Sequence, residues 1–215
     1  ISCHADIRFR WTDSEELTEE NIEEKLGGVD GILVPGGFGS RGTEGMILAA
    51  DYARREKILI LESAWHADGH RSFARYVVGY HDAGSIEFHP ETLHPLISLM
   101  PDQKDVENIG GTLRLGAYPC VLDEHSRSYE IYGQKEISER HRHRYEVNND
   151  YREVLEKAGL HLAGLSPDKR IVEMVEITDH PFYIGTQAHP EFKSRPNRPH
   201  PLFAGFVKAA AQHKN

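Results

Sequence analysis

Apolar residues in this chain gather in short blocks with two different periods. Residues 30–35 (D-G-I-L-V-P) form a compact apolar run closed by proline and then Gly36-Gly37, which predicts a buried strand running into a tight loop. Residues 57–61 (K-I-L-I-L) predict a second buried strand. Between them, Met46, Ile47, Ala50 and Ala53 recur at helical spacing, which predicts a helix over 43–56 with Thr43 as its cap. Shorter helices are expected over 18–26, capped by Thr18, and over 70–80. Continuous apolar strands alternating with helices imply a mostly parallel sheet covered on both faces.

The texture changes near Gly110. Residues 112–121, 131–147 and 170–187 are richer in β-type residues and turn signals. Residues 149–158 read as a helix stopped by Gly159, and 200–214 as a closing helix. With no internal repeat, biased tract or linker, residues 1–215 are expected to form one α/β domain.

Composition narrows the function classes. Hydrophobic residues make up 39% and charged residues 27%, the balance of a globular chain, and no apolar run is long enough to cross a bilayer. A net charge of −9 disfavours phosphate-backbone partners, so no nucleic acid is expected. Two cysteines, Cys3 and Cys120, do not make a disulfide framework, and a cytoplasmic location is the simplest expectation. The chain opens on Ile1 without a secretory leader, which reads as a piece cut from something longer.

Three motifs carry candidate chemistry. Residues 35–42 (P-G-G-F-G-S-R-G) can turn successive backbone N–H groups toward one point, a nest for an anion or oxyanion; the alternative is a plain glycine-rich turn. His189-Pro190-Glu191 can place an imidazole and the carboxylate that orients it on one side of a strand end, although many such pairs are surface coincidences. Residues 139–148 (E-R-H-R-H-R-Y-E-V-N) form a basic strand; the acidic whole and the lack of interleaved aromatics argue against nucleic acid there.

Taken in order and with their spacings, these motifs resemble the C-terminal glutamine amidotransferase domain of the CTP synthase family, from about Ile7 to Ala209. Residues 12–17, 31–42, 110–116, 139–149 and 189–203 carry the similarity. The resemblance implies a class I amidotransferase fold, an open, mostly parallel sheet flanked by helices on both faces. It implies a Cys-His-Glu triad that hydrolyses L-glutamine, with ammonia passing to a synthase domain that aminates UTP to CTP. That synthase domain is not expected among these residues. ATP and Mg belong to it, and no cofactor is expected for the domain here. By motif, Gly37 and Phe38 would line the glutamine and oxyanion site, Glu87 would meet the α-amino group and Arg144 would hold the substrate at its carboxylate. His189 would be the base and Glu191 its orienter.

The sequence departs from the family where the nucleophile belongs. After the strand at 57–61 stands E-S-A-W-H-A-D-G-H-R-S, and the match resumes at Phe73. Counting forward from Leu61 puts the nucleophile position at Ala64; counting back from Phe73 puts it at Ser63. Neither is cysteine, and the glycines that let an elbow adopt unusual angles are missing. Loss of a triad nucleophile typically removes about 10⁶ in turnover, so glutaminase activity is expected to be abolished or severely reduced and glutamine binding weak. Two alternatives stay open: a Ser63-His189-Glu191 hydrolase on the same scaffold, and a non-catalytic binding or regulatory module. The replaced segment also holds His66, Asp68 and His70 in alternation; in an extended loop these would face one side as metal ligands, or they are simply a solvated polar loop.

Overall fold

A computed structural model describes residues 3–36, 41–63, 68–99 and 114–213, with Asp68 described by its backbone alone. The polypeptide builds a seven-stranded sheet and a three-stranded one, with helices packed on the larger. Its strands are β1 (Gly31–Val34), β2 (Leu59–Glu62), β3 (Gly84–Ser85), β4 (Pro95–Ser98), β5 (Arg114–Leu122), β6 (Glu136–His143), β7 (Glu146–Val147), β8 (Leu160–Leu165), β9 (Val172–Ile177) and β10 (Tyr183–Thr186). The large sheet runs β1-β2-β10-β9-β8-β5-β6, and the small one β3-β4-β7.

Parallel pairing in the large sheet is confined to β1, β2 and β10. Every other neighbour is antiparallel. The reason lies in the connections. β1 and β2 are joined through the helix α2 (Thr43–Glu56), long enough for a crossover, whereas β8 through β10 are joined by short returns that allow only antiparallel neighbours; β5 and β6, joined through a short helix, pair antiparallel as well. The sheet is therefore parallel at the end predicted from the two apolar runs, and it curls into antiparallel pairing where the texture changes.

Side-chain alternation along β2 divides the core. Ile58 and Ile60 pack with α2 and with α1 (Ile22–Leu26), whereas Leu59 and Leu61 face the opposite layer with Leu202 of α6 (Pro201–Gln212). Because both faces are covered, β2 is buried along its whole length, including Glu62. A third cluster joins Phe73, Leu155 of α5 (Arg152–Lys157) and Val147 beneath the small sheet. Helices therefore lie on both faces of the sheet, as the pattern implied.

Several boundaries move from their sequence positions. α1 begins at Ile22 and not near Thr18; Thr18 instead supplies the carbonyl that accepts the Ile22 N–H. α2 is capped by Gly42, at φ 69°, so Thr43 is its first helical residue and not its cap. The helix expected over 70–80 splits into α3 (Asp68–Phe73) and a wider turn over Ala74–Val78, closed by Gly79 at φ 92°. Residues 131–147 are not all strand. The helix α4 (Arg127–Tyr132) comes first, capped by the Ser126 hydroxyl accepting from the Tyr129 N–H and ended by Gly133 at φ 67°. No described helix is long and apolar enough to cross a membrane.

Candidate active site

The parallel strands deliver their C-terminal ends to one edge, where ligands bind in open α/β sheets. β2 ends at Glu62, and the Ser63 N–H donates to the Val34 carbonyl of β1 at 3.0 Å, which fixes the exit of the segment after β2. β10 runs beside β2, with Gly185 opposite Glu62, so the residues after Thr186 emerge on the same edge. His189 is three residues beyond. Its own backbone N–H donates to the Arg140 carbonyl of β6 at 2.8 Å, and its ring stacks on Phe192 with centroids 4.8 Å apart.

The His189 Nδ1 lies 2.7 Å from Glu191 Oε1. A carboxylate accepts, so the ring proton sits on Nδ1 and the Nε2 lone pair is left for a substrate. Pro190 opens the 3-10 turn Pro190–Phe192, which brings Glu191 back under the imidazole. The two residues of the motif are thus in direct contact.

The small sheet supplies the second group. β7 pairs with β4 and β4 with β3, which places the turn after Ser85 beside the turn between β6 and β7. Glu87 stands on the first turn and Arg144 on the second. Burial pushes the Glu87 carboxyl above its ordinary range, and the Arg144 guanidinium pulls it back. A carboxylate and a guanidinium facing one region match the α-ammonium and α-carboxylate of an amino acid.

Ser63 is buried, 5% exposed, and among the described residues no hydrogen bond joins it to His189. Gly37 and Phe38 of the glycine loop, and Ala64 and His66 of the segment after β2, lie outside the described residues. Asp68 and His70 belong to α3 and not to an extended loop, so the alternation expected to face ligands to one side of a strand-like segment does not apply to them. His70 is fully buried, and burial depresses its imidazole to about 3. Among the described residues no group of three His, Cys, Asp or Glu side chains could hold a metal. Cys120 is buried and its thiol pushed well up by desolvation, as expected of a packed residue.

Two contacts here escape a reading of motifs. Glu62, buried at the end of β2, accepts from the Tyr183 hydroxyl at 3.3 Å. A Cβ on Gly69 would stand 2.3 Å from its other carboxylate oxygen, so glycine lets α3 close over Glu62. Beneath Arg144 and His189 lies a buried charged cluster, Arg114, His141, His143, Glu146 and Glu173, drawn from four strands. The alternation of charged residues along 139–146 is visible in the sequence, but not that its buried half meets Arg114 and Glu173.

Comparison with known proteins gives a consistent picture. The family model for "Glutamine amidotransferase class-I" matches residues 71–209. A CTP synthase of Chloroflexus aurantiacus is 56% identical over 208 residues, covering 96% of this chain and 38% of that protein. One of Clostridium kluyveri is 53% identical over 217 residues, covering 98% and 40%. The chain thus spans about two-fifths of the length of the curated relatives it matches. A solved structure described as the Trypanosoma brucei CTPS glutaminase domain with bound acivicin superposes with a TM-score of 0.90 at 36% identity, covering 100% of this chain and 84% of that one.

Proposed function

This chain belongs to the glutamine amidotransferase class-I family, as the amidotransferase domain of a CTP synthase, and from that premise we propose that it keeps a glutamine site while lacking the thiol that would hydrolyse glutamine. The observation that carries the reading is the His189–Glu191 pair, 2.7 Å apart at the sheet edge beside the end of β2, where the following residues contain no cysteine. In a complete site of this design the imidazole Nε2 takes the nucleophile's proton and later returns one to the leaving ammonia, while Glu191 steadies the imidazolium. Here His189 and Glu191 stand ready, but Ser63 is buried and Ala64, next in the sequence, offers only a methyl group, which cannot attack. A hydroxyl without a positioned base is a poor nucleophile near neutral pH, which removes the chemical step and not the binding.

Substrate recognition rests on groups that do not depend on the thiol. Glu87 meets the α-ammonium, Arg144 the α-carboxylate, and Gly37 and Phe38 the side-chain amide. The Trypanosoma brucei domain, solved with acivicin bound, supports a small-molecule site on this scaffold. For the whole protein the family reading is amination of UTP to CTP, with ammonia reaching a synthase domain that uses ATP and Mg; this chain's partner is that domain and its ligand is L-glutamine.

The test is a glutaminase assay of this chain beside Ala64→Cys and Ser63→Cys. The parent is expected to release ammonia at the background rate, and one cysteine variant to exceed it. Parent turnover that disappears in Ser63→Ala would overturn the reading and establish a serine nucleophile.

A further inference from the structure

One end of the large sheet stands open. β1 is its last strand, and among the described residues no strand pairs along the outer edge of β1. The Val34 carbonyl accepts from the Ser63 N–H beyond β2, so Val34 faces inward, and by alternation the N–H and C=O of Leu33 point to the open edge. The Leu33 side chain is 45% exposed. It shares a face with Gly31, which lies against α6: a Cβ on Gly31 would stand 2.7 Å from the Phe206 ring.

α6 is itself incompletely covered. Lys208 is its one charged residue, and a helix apolar on every side calls for cover on every side. Yet Leu202 is the one residue of α6 that is buried. Residues 5–11 (A-D-I-R-F-R-W) complete the picture. They alternate apolar and polar as a strand does, but they pair with no strand among the described residues. Near one end of this segment the Cys3 thiol approaches the Ala204 carbonyl of α6 at 3.7 Å; near the other, Arg10 donates to the Gly27 carbonyl at 2.8 Å, just ahead of β1. Ala5, Ile7 and Phe9 of the segment, with Phe203, Ala204 and Val207 of α6, line an apolar groove of about 590 Å³. α6 thus borders both the groove and the open strand.

An unpaired edge beside an apolar groove is a surface that takes an added strand. Chain length points to the source of that strand. The Trypanosoma brucei glutaminase domain matches all of this chain, which covers 84% of that domain and 38% of the Chloroflexus aurantiacus CTP synthase. The solved domain therefore holds residues with no counterpart here. We propose that the outer edge of β1 and the groove beside α6 receive one β-strand from the part of the CTP synthase polypeptide that this chain does not span. Its backbone pairs with Leu33. Its groove-facing side chains meet Ile7, Phe203 and Val207 and so are apolar, and the four residues of β1 limit the pairing to a short strand. The inference gives a surface to the partnership proposed above and rests on that reading.

Overlapping peptides that tile the unmatched part of the Chloroflexus aurantiacus CTP synthase are the probe, with scrambled peptides as controls. One apolar peptide is expected to bind this chain in calorimetry and to protect the Leu33 amide from hydrogen exchange. Ile7→Asp and Leu33→Lys, both at exposed positions, should each weaken that binding about tenfold without moving the melting midpoint. Protection of Leu33 is read from the wild type even if a variant does not fold. Binding that leaves the Leu33 amide unprotected, or that ignores both substitutions, would overturn the edge and groove as the site. A dimer of this chain in light scattering, with Leu33 protected in the absence of peptide, would show that a second copy takes the edge and would overturn the occupant. Co-expression with the whole unmatched part reads the partnership separately: a complex without any bound peptide would sink the strand alone, and neither would sink both. Glutamine calorimetry on the same samples reads the pocket, so its failure does not count against the groove.

Discussion

Acidification should unfold this domain through His70, and the size of the effect follows from its burial. His70 sits in α3, directly after the segment that replaces the expected nucleophile turn, and it is 0% exposed. Burial is the larger cause that depresses it to about 3, with the Arg152 guanidinium adding to the penalty. The unfolded chain takes up a proton on this residue below about pH 6.5, whereas the native state does not until about pH 3. Over that window the unfolded state binds more protons, so stability is present above pH 6.5 and is lost as pH falls. From pH 6.5 to 4 the span is about 2.5 units, and at about 1.36 kcal/mol per unit the loss is about 3 kcal/mol. Other groups titrate in the same range, among them His141 and Glu146. The comparison that isolates His70 is therefore a difference. Urea unfolding of the wild type and of His70→Gln, at pH 7 and at pH 4, cancels the groups the two proteins share. The stability advantage of the wild type should shrink by about 3 kcal/mol on going to pH 4. A difference that stays the same at both pH values would show that His70 has the same pKa folded and unfolded, and would refute the argument from burial.

Other outcomes follow from the packing and the site. Gly45→Ala should destabilise although alanine favours a helix by about 1 kcal/mol, because the new Cβ would fall 1.8 Å from the Ser14 carbonyl oxygen; a cost of about 1–3 kcal/mol is expected in thermal melts, and a raised midpoint would show that the contact yields. Leu155→Ala, fully buried under the small sheet, should cost about 2–5 kcal/mol in urea unfolding, and a loss below about 1 kcal/mol would mean that the cavity collapses. Glu87→Ala and Arg144→Ala should each weaken glutamine binding in calorimetry without lowering the melting midpoint by more than a few degrees; unchanged affinity in both would mean that these residues do not frame the pocket. In an active Ala64→Cys background, Glu191→Gln should lower kcat more than it raises KM, since the 2.7 Å contact to His189 orients the base and does not hold substrate.

The local and the long-range parts of this protein are legible to different degrees. The apolar runs at 30–35 and 57–61 became β1 and β2 because a strand buried on both faces must be apolar throughout, a property of the segment alone. The helix expected to run from its Thr43 cap to Glu56 appears, with its start moved to Thr43 itself, because its apolar face repeats at helical spacing. Helix α4 escapes a reading by period although Ser126 and Gly133 mark its ends, since six residues give too few turns for a period to show. His189 and Glu191 are two residues apart, so their contact is readable from the motif. The lack of cysteine after β2 needs only the sequence.

What the chain order could not determine is which distant residues share a buried space. Arg114 and Glu173 are separated by 59 positions, and neither stands out in its own segment. Their pairing exists because β5 and β9 stand on either side of β8 in the antiparallel half of the large sheet. The alternation along β6 tells which residues are buried, but only the folded sheet decides that those histidines face each other and two carboxylates. The same holds for Glu87 and Arg144, brought together by the β3-β4-β7 sheet and not by any spacing. Secondary structure answers to the residues within a few turns, whereas the charge of a buried group depends on every element that removes water from it.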